Sequence, residues 1–110
     1  MVYKLLRNGE KLCNVFVAES FKDRFLGYMF RKKPHHEAIL FKPCYSIHTF
    51  FMKFEIDVLF LDGDMNVIKK VEGLKKGKII YEKDAKMVVE TKFGGFSKIV
   101  VGDKLNIEFI

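Results

Sequence analysis

The amino-acid sequence predicts a mainly β protein of the α+β class: a compact antiparallel β pseudo-barrel or sandwich with one short α-helix near residues 20–27. Short apolar segments rich in Val, Ile and Phe recur along the chain, and turn-forming residues separate them at the roughly 8–12-residue spacing typical of barrels and sandwiches. A chain of 110 residues buries roughly two-thirds of its unfolded surface, which is enough for one core. We therefore expect a single domain over residues 1–110.

Most of the chain is predicted to form strands. Asn8-Gly9 is a strong signal for a two-residue hairpin turn, so the first two strands should flank it. Asp62-Gly63-Asp64 is a turn signal at the end of the longest apolar segment. The apolar segments between turns predict strands over residues 2–6, 11–17, 38–41, 49–61, 65–72, 79–81, 87–91, 98–101 and 105–110.

The one predicted helix begins at Ser20. A serine followed three residues later by an acidic residue, here Asp23, is typical of a helix N-terminus. Phe21, Phe25 and Leu26 then share one face of the helix, which is predicted to end near Gly27.

A histidine begins the longest apolar segment. If the strand continues unbroken, alternation places His48 in the same row as Phe50, Met52 and the apolar side chains that follow, with Asp57 on the opposite face. Two interpretations of His48 stay open: an imidazole hydrogen-bonded at the edge of the core, or a cleft-lining ligand, base or anion contact. Asp57 has the same two interpretations, as a structural carboxylate or as part of a site.

The net charge of +6 lies entirely in the first half of the chain, because residues 1–53 contain 10 Lys or Arg and 4 Asp or Glu. The basic residues are densest over residues 22–33. This segment is either a solvated face or a patch that attracts an anion such as phosphate. No known nucleic-acid motif accompanies it, so we do not expect nucleic acid as the main partner.

Composition also bears on location and source. No apolar window of about 18 residues is present, and the first residues lack the apolar region of a secretory signal, so we expect a cytoplasmic protein without a membrane partner. The cysteines Cys13 and Cys44 are expected to be reduced. The chain has 17 Lys, 3 Arg and no Gln, a composition typical of thermophiles. We expect a monomer or small homo-oligomer.

Cys44 and His48 are the residues to consider for catalysis. A cysteine–histidine pair supports nucleophilic chemistry only if the imidazole activates the thiol and an oxyanion donor lies nearby. Zinc needs three or four protein ligands, so Cys44 and His48 would need help from Cys13, His35, His36 or a carboxylate, and no zinc-like spacing supports such a site. We therefore expect no metal and no cofactor, and we favour a protein that is not an enzyme.

Several segments together resemble the family known as domain of unknown function 192. They are RFLGYMFR at residues 24–31, AILF at 38–41, CYSIHTFFMKFEIDVLFLD at 44–62, VET at 89–91, GG at 94–95 and GD at 102–103. The resemblance covers roughly residues 13–110 and implies a small β-rich pseudo-barrel with a short helix and no established activity. Three positions differ from the usual family pattern: Tyr28 for leucine, Phe51 for tryptophan and Glu55 for proline.

The resemblance also implies a set of site residues. The family motif includes Arg24, Met29, Arg31, His48, Thr49, Met52 and Asp57. Two of the three arginines in this lysine-rich chain lie in that set, and a guanidinium group matches the geometry of carboxylate or phosphate. The structural alternative is that Arg24 or Arg31 forms an ion pair with Asp57 or Glu90.

The sequence therefore predicts a protein that binds a small anionic or polar ligand in a cleft bordered by the His48 strand and the segment 24–31. The expected contacts are Arg24, Arg31, His48, Thr49 and Met52, with Asp57 organising them. One alternative is a small hydrolase or transferase that uses Cys44 and His48, with or without zinc. A further alternative is association with nucleic acid through residues 22–33.

Overall fold

The computed structural model describes residues 1–110 and confirms the predicted fold class. Nine strands and one helix follow in the order β1 Val2–Arg7, β2 Glu10–Ala18, α1 Phe21–Leu26, β3 Ala38–Phe41, β4 Ser46–His48, β5 Ile56–Leu61, β6 Val67–Leu74, β7 Ile79–Tyr81, β8 Met87–Lys92 and β9 Leu105–Phe109. The predicted hairpin at Asn8-Gly9 is present, with both residues at the positive φ that a tight hairpin turn requires.

Seven strands form one sheet in the order β6-β5-β8-β3-β2-β1-β9, in which only the β2–β3 pair is parallel. The two edges of this sheet meet. Asn66 bridges to Lys104, and the N–H of Val67 donates to the carbonyl of Asp103 at 2.8 Å. The sheet therefore curls back on itself as a pseudo-barrel, while β4 and β7 pair separately as a small antiparallel sheet.

The central strands β3, β5 and β8 are buried on both faces. Leu40, Leu59 and Val89 pack into one apolar cluster inside the barrel, whereas their neighbours Phe41 and Phe60 pack into a second cluster. Such strands carry nearly continuous apolar residues, because neither face meets water. The second cluster lies beneath β4 and the segments around Tyr28 and Met52, and the candidate site borders it.

Helix α1 begins and ends as predicted, but its aromatic face does not enter the core. The hydroxyl of Ser20 accepts a hydrogen bond from the N–H of Asp23 at 3.1 Å, and Gly27 caps the C-terminus. Phe21 and Phe25 stack with ring centroids 6.3 Å apart and remain 78% and 56% exposed. The helix therefore places an aromatic pair at the surface.

The predicted unbroken strand over residues 49–61 is wrong. The chain turns between β4 and β5 because Thr49 is bonded to another segment: its hydroxyl donates to the carbonyl of Lys75 at 2.7 Å and accepts from the N–H of Lys78 at 2.8 Å. Phe51 has a φ of 63°, which no strand residue adopts. The continuous row from His48 to Phe60 therefore does not exist.

The predicted strand over residues 98–101 is also wrong. This segment is a turn, in which the carboxylate of Asp103 accepts a hydrogen bond from the N–H of Val100 at 3.0 Å. The same carboxylate forms an ion pair with Arg7 at 2.8 Å. Side-chain hydrogen bonds of this kind compete with strand pairing, so the apolar residues Val100 and Val101 stay exposed.

Asp57 is fully buried in β5, and its partners are backbone groups rather than an arginine. One carboxylate oxygen accepts from the N–H of Gly73 and the other from the N–H of Gly94, both at 2.9 Å. Gly73 lies where the pairing of β5 with β6 shifts register, and Gly94 lies just beyond β8. A carboxylate is tolerated in such a place only when its oxygens are bonded in this way.

We predict that Asp57→Ala lowers the free energy of unfolding by about 2–4 kcal/mol, because two buried N–H groups lose their acceptor. Asp57→Asn should cost less, since its carbonyl oxygen still accepts from one glycine. Urea unfolding of both variants measures the difference. The matched control is Asp64→Ala, which removes an exposed carboxylate and should change stability by less than about 0.5 kcal/mol. An equally small effect at Asp57 would contradict the structural role assigned to it.

Candidate functional site

A cavity of about 240 Å³ opens between α1, the segment 27–29 and β4, and its inner wall includes residues of β3 and β8. Nine of its fourteen lining residues are hydrophobic, so it is an apolar recess with a few polar side chains. The side chains that can titrate or form hydrogen bonds decide what the cavity can bind, and the main ones are Arg24, Cys44, His48 and Glu90.

Glu90 is the buried acidic group of the cavity. It is 4% exposed, and neither an ion pair nor a hydrogen bond to its carboxyl group is present. Alternation along β8 explains its position, because Val89 points into the barrel while Val88 and Glu90 point to the other face. Burial raises the pKa of Glu90 to about 8, so the carboxyl group is mainly protonated at neutral pH.

Cys44 is a thiol rather than a thiolate. Its S–H donates to the carbonyl of Ser46 at 3.1 Å. Burial is the largest influence and raises its pKa, and the charge of Glu90 acts in the same direction, whereas the backbone N–H of Ser46 and the charge of Arg24 favour the thiolate and lower it. The thiolate is the nucleophilic form of cysteine, whereas this environment favours the thiol. Cys44 is therefore not activated as a nucleophile.

His48 presents a hydrogen-bond donor. Its Nδ1 accepts from the N–H of Phe50 at 3.2 Å, and we therefore assign the proton of the neutral ring to Nε2. The ring stacks on Phe50 with centroids 5.5 Å apart and packs against Phe25 at 5.9 Å. With its lone pair already occupied, the imidazole is poorly placed to take a proton from a neighbouring thiol.

Arg24 contributes the positive charge of the cavity. Its Nη1 donates to the carbonyl of Pro43 at 3.1 Å, while its Nε is buried without a hydrogen-bond partner. Neither Arg24 nor Arg31 forms an ion pair with Asp57 or Glu90, so the predicted ion pairs are not present. The guanidinium charge beside the cavity is therefore not neutralised by a carboxylate of the protein.

Of the residues that the sequence predicted as ligand contacts, Arg24, His48 and Met52 line this cavity. Arg31, Thr49 and Asp57 do not line it. Arg31 is exposed and borders a separate, smaller recess that Asp23 and Leu26 of α1 also line. Thr49 is buried and bonded to the segment 75–78, and both oxygens of Asp57 are bonded to glycine N–H groups.

From the sequence, Glu90 was expected only as an ion-pair partner of Arg24 or Arg31. The signal that singled out Asp57, an acidic side chain within an apolar strand, is equally present in residues 87–91 and points to Glu90.

No group of three or more His, Cys, Asp or Glu side chains is arranged to hold a metal ion. No helix is long and apolar enough to cross a membrane.

The fold is shared with solved structures. The crystal structure of a protein proposed to be a transcription regulator (R01717) from Sinorhizobium meliloti 1021 superimposes with a TM-score of 0.81 at 18% identity, covering 96% of this chain and 92% of that one. A protein of unknown function from Novosphingobium aromaticivorans gives a TM-score of 0.78 at 16% identity, covering 96% of this chain and 84% of that one. At such identities the likeness shows the fold alone.

Sequence comparison assigns the family. The chain is 37% identical to the UPF0127 protein PYRAB11210 of Pyrococcus abyssi over 83% of each chain. It is 40% identical to the UPF0127 protein PH1112 of Pyrococcus horikoshii over 69% of this chain and 70% of that one. The model of DUF192, described as "Uncharacterized ACR, COG1430", matches residues 4–107. This chain is thus a member of the DUF192 family, whose function is uncharacterised.

Proposed function

We propose that this protein binds a small molecule in the cavity that Glu90 lines, here called the Glu90 cavity. The apolar part of the ligand packs against the aromatic wall formed by Phe25 and Phe41, and its polar group is directed at Glu90. The observation that carries the proposal is the buried carboxyl group of Glu90, which has no partner within the protein. Placing a carboxyl group here without a protein partner is costly, and because its oxygens are not fully enclosed, a bound ligand can offset that cost by supplying the partner. An apolar side chain at this position would avoid the cost altogether.

The size and walls of the cavity support a small ligand. Its volume of about 240 Å³ is below the roughly 300–1,000 Å³ of pockets for drug-sized molecules. Phe25 and Phe41 contribute aromatic surface, and Met29 and Met52 add flexible thioethers that adapt to irregular shapes. A compact metabolite with one apolar part and one polar part matches this combination.

The methionines of the chain provide a direct test. Met29 and Met52 line the cavity, whereas Met1, Met65 and Met87 do not. With ¹³C-methyl methionine labelling, we expect at least one compound in a library of small polar metabolites to shift the Met29 and Met52 methyl signals in a saturable way. The other three signals act as internal controls. Shifts of similar size at all five methyls, or none at Met29 and Met52 for any compound, would contradict the proposal.

Glu90 should also make stability depend on pH in the ligand-free protein. Glutamate in the unfolded chain titrates near 4.5, whereas Glu90 in the fold titrates at about 8. Between these values the unfolded state releases the proton and the folded state keeps it, so stability falls as pH rises from about 4.5 to about 8. The shift corresponds to a loss of at most about 5 kcal/mol.

Glu90→Gln removes this titration while keeping the shape of a protonated carboxyl group. We expect the variant to be close to the parent in stability at pH 5 and clearly more stable at pH 9. Urea unfolding at the two pH values measures the change, and Glu19→Gln, at an exposed position, is the control. The same stability difference between Glu90→Gln and the parent at both pH values would show that Glu90 does not titrate abnormally.

A further inference from the structure

We propose that the ligand of the Glu90 cavity is a small monocarboxylic acid, bound through its carboxylate by Arg24, His48 and the carboxyl group of Glu90, with its apolar tail against the aromatic wall. This inference rests on the proposed function and names the ligand class for the same cavity.

The cavity is rich in donors. Arg24 lines the recess with a guanidinium group that makes one hydrogen bond to the protein, from Nη1 to Pro43, and His48 offers Nε2–H because its Nδ1 is already an acceptor for Phe50. A protonated Glu90 adds an O–H. All three residues line one recess whose other walls are mainly hydrophobic side chains. A ligand that satisfies them must bring acceptor atoms, and a carboxylate brings two oxygens in the plane that a guanidinium group matches.

Charge selects an anion over a cation. The guanidinium of Arg24 has no carboxylate partner in the protein, and an unpaired charge at a partly buried site is costly. A carboxylate ligand neutralises that charge. An amine ligand would instead meet the guanidinium as a like charge and would require Glu90 to ionise inside an apolar recess. A phosphate dianion carries a second negative charge that the single guanidinium group cannot neutralise, and its oxygen atoms would accept more hydrogen bonds than these three groups donate.

The arrangement makes binding depend on pH. Ionised Glu90 would repel the ligand carboxylate, so the complex forms with Glu90 protonated, and affinity should fall as pH rises through about 8. The other titratable or charged groups near Glu90 are Tyr28, Cys44, Arg24 and His48. Burial raises the pKa of both Tyr28 and Cys44, so these two groups remain neutral over the same range.

A matched set of probes tests the ligand class. Phenylacetate, phenylacetamide, 2-phenylethylamine and hexanoate are titrated against the whole chain at pH 7, with the Met29 and Met52 methyl signals as the readout. We expect phenylacetate or hexanoate to bind at least about tenfold more tightly than the amide, because charge-assisted hydrogen bonds are roughly twice as strong as neutral ones. The amine should not bind measurably.

Two variants separate the roles of the charged groups. Arg24→Gln should weaken carboxylate binding at least about tenfold and leave the weak affinity for the amide nearly unchanged. Lys22→Gln removes an equal charge from an exposed position on the same helix and should alter neither. Glu90→Gln should abolish the loss of carboxylate affinity between pH 7 and pH 9.

The outcomes distinguish this inference from the proposed function. Preference for the amine or the amide, or equal weakening by Arg24→Gln and Lys22→Gln, would overturn the carboxylate class while leaving a ligand site in place. If no member of the set binds, the carboxylate class is also overturned. The broader methionine screen then decides separately whether the cavity binds a ligand at all.

Discussion

The carboxylate of Asp57 is the contact on which the geometry around the cavity depends. It lies within β5 and joins two glycine N–H groups that come from different parts of the chain, one in β6 and one just beyond β8. Through these bonds β5 holds the register shift of β6 and the turn that follows β8. Because β8 is the strand that carries Glu90, the contact also keeps the wall of the cavity in place.

Two buried acidic residues on neighbouring strands have opposite surroundings. Asp57 lies opposite Thr91 and Val58 lies opposite Glu90, so the two side chains are one position apart along a single ladder. Both oxygens of Asp57 are bonded by the protein, whereas the carboxyl group of Glu90 has no partner there. Burial itself therefore does not distinguish a structural acid from a site acid. The difference is that the fold supplies hydrogen-bond donors to the carboxylate of Asp57 and none to the carboxyl group of Glu90.

The cavity forms because α1 and the segment after β4 do not complete the core. The helix has six residues, none of them buried, and its aromatic side chains reach only the rim. Thr49 ends β4 through its bonds to the segment 75–78, and this leaves His48 at the mouth of the cavity with its ring against Phe25. A continuous strand through residues 49–61 would instead have placed His48 in one row with Phe50 and Met52.

The sequence by itself determined the features that depend on neighbouring residues. The turn at Asn8-Gly9, the helix start at Ser20 and the β-rich class follow from local conformational preference and from the pattern of apolar side chains. The resemblance to the family motif led us to expect Arg24, His48 and Met52 at a site, and these three residues line one cavity. Only the tertiary structure decided the break at Thr49, the glycine partners of Asp57 and the lack of a partner for Glu90. The bonds of Thr49 and Asp57 join groups that are between about 16 and 37 residues apart in the chain. Glu90 lacks an ion-pair partner because Arg24 donates to the carbonyl of Pro43 instead of to a carboxylate. Such pairings are selected by the packing of distant segments, and local sequence does not encode them.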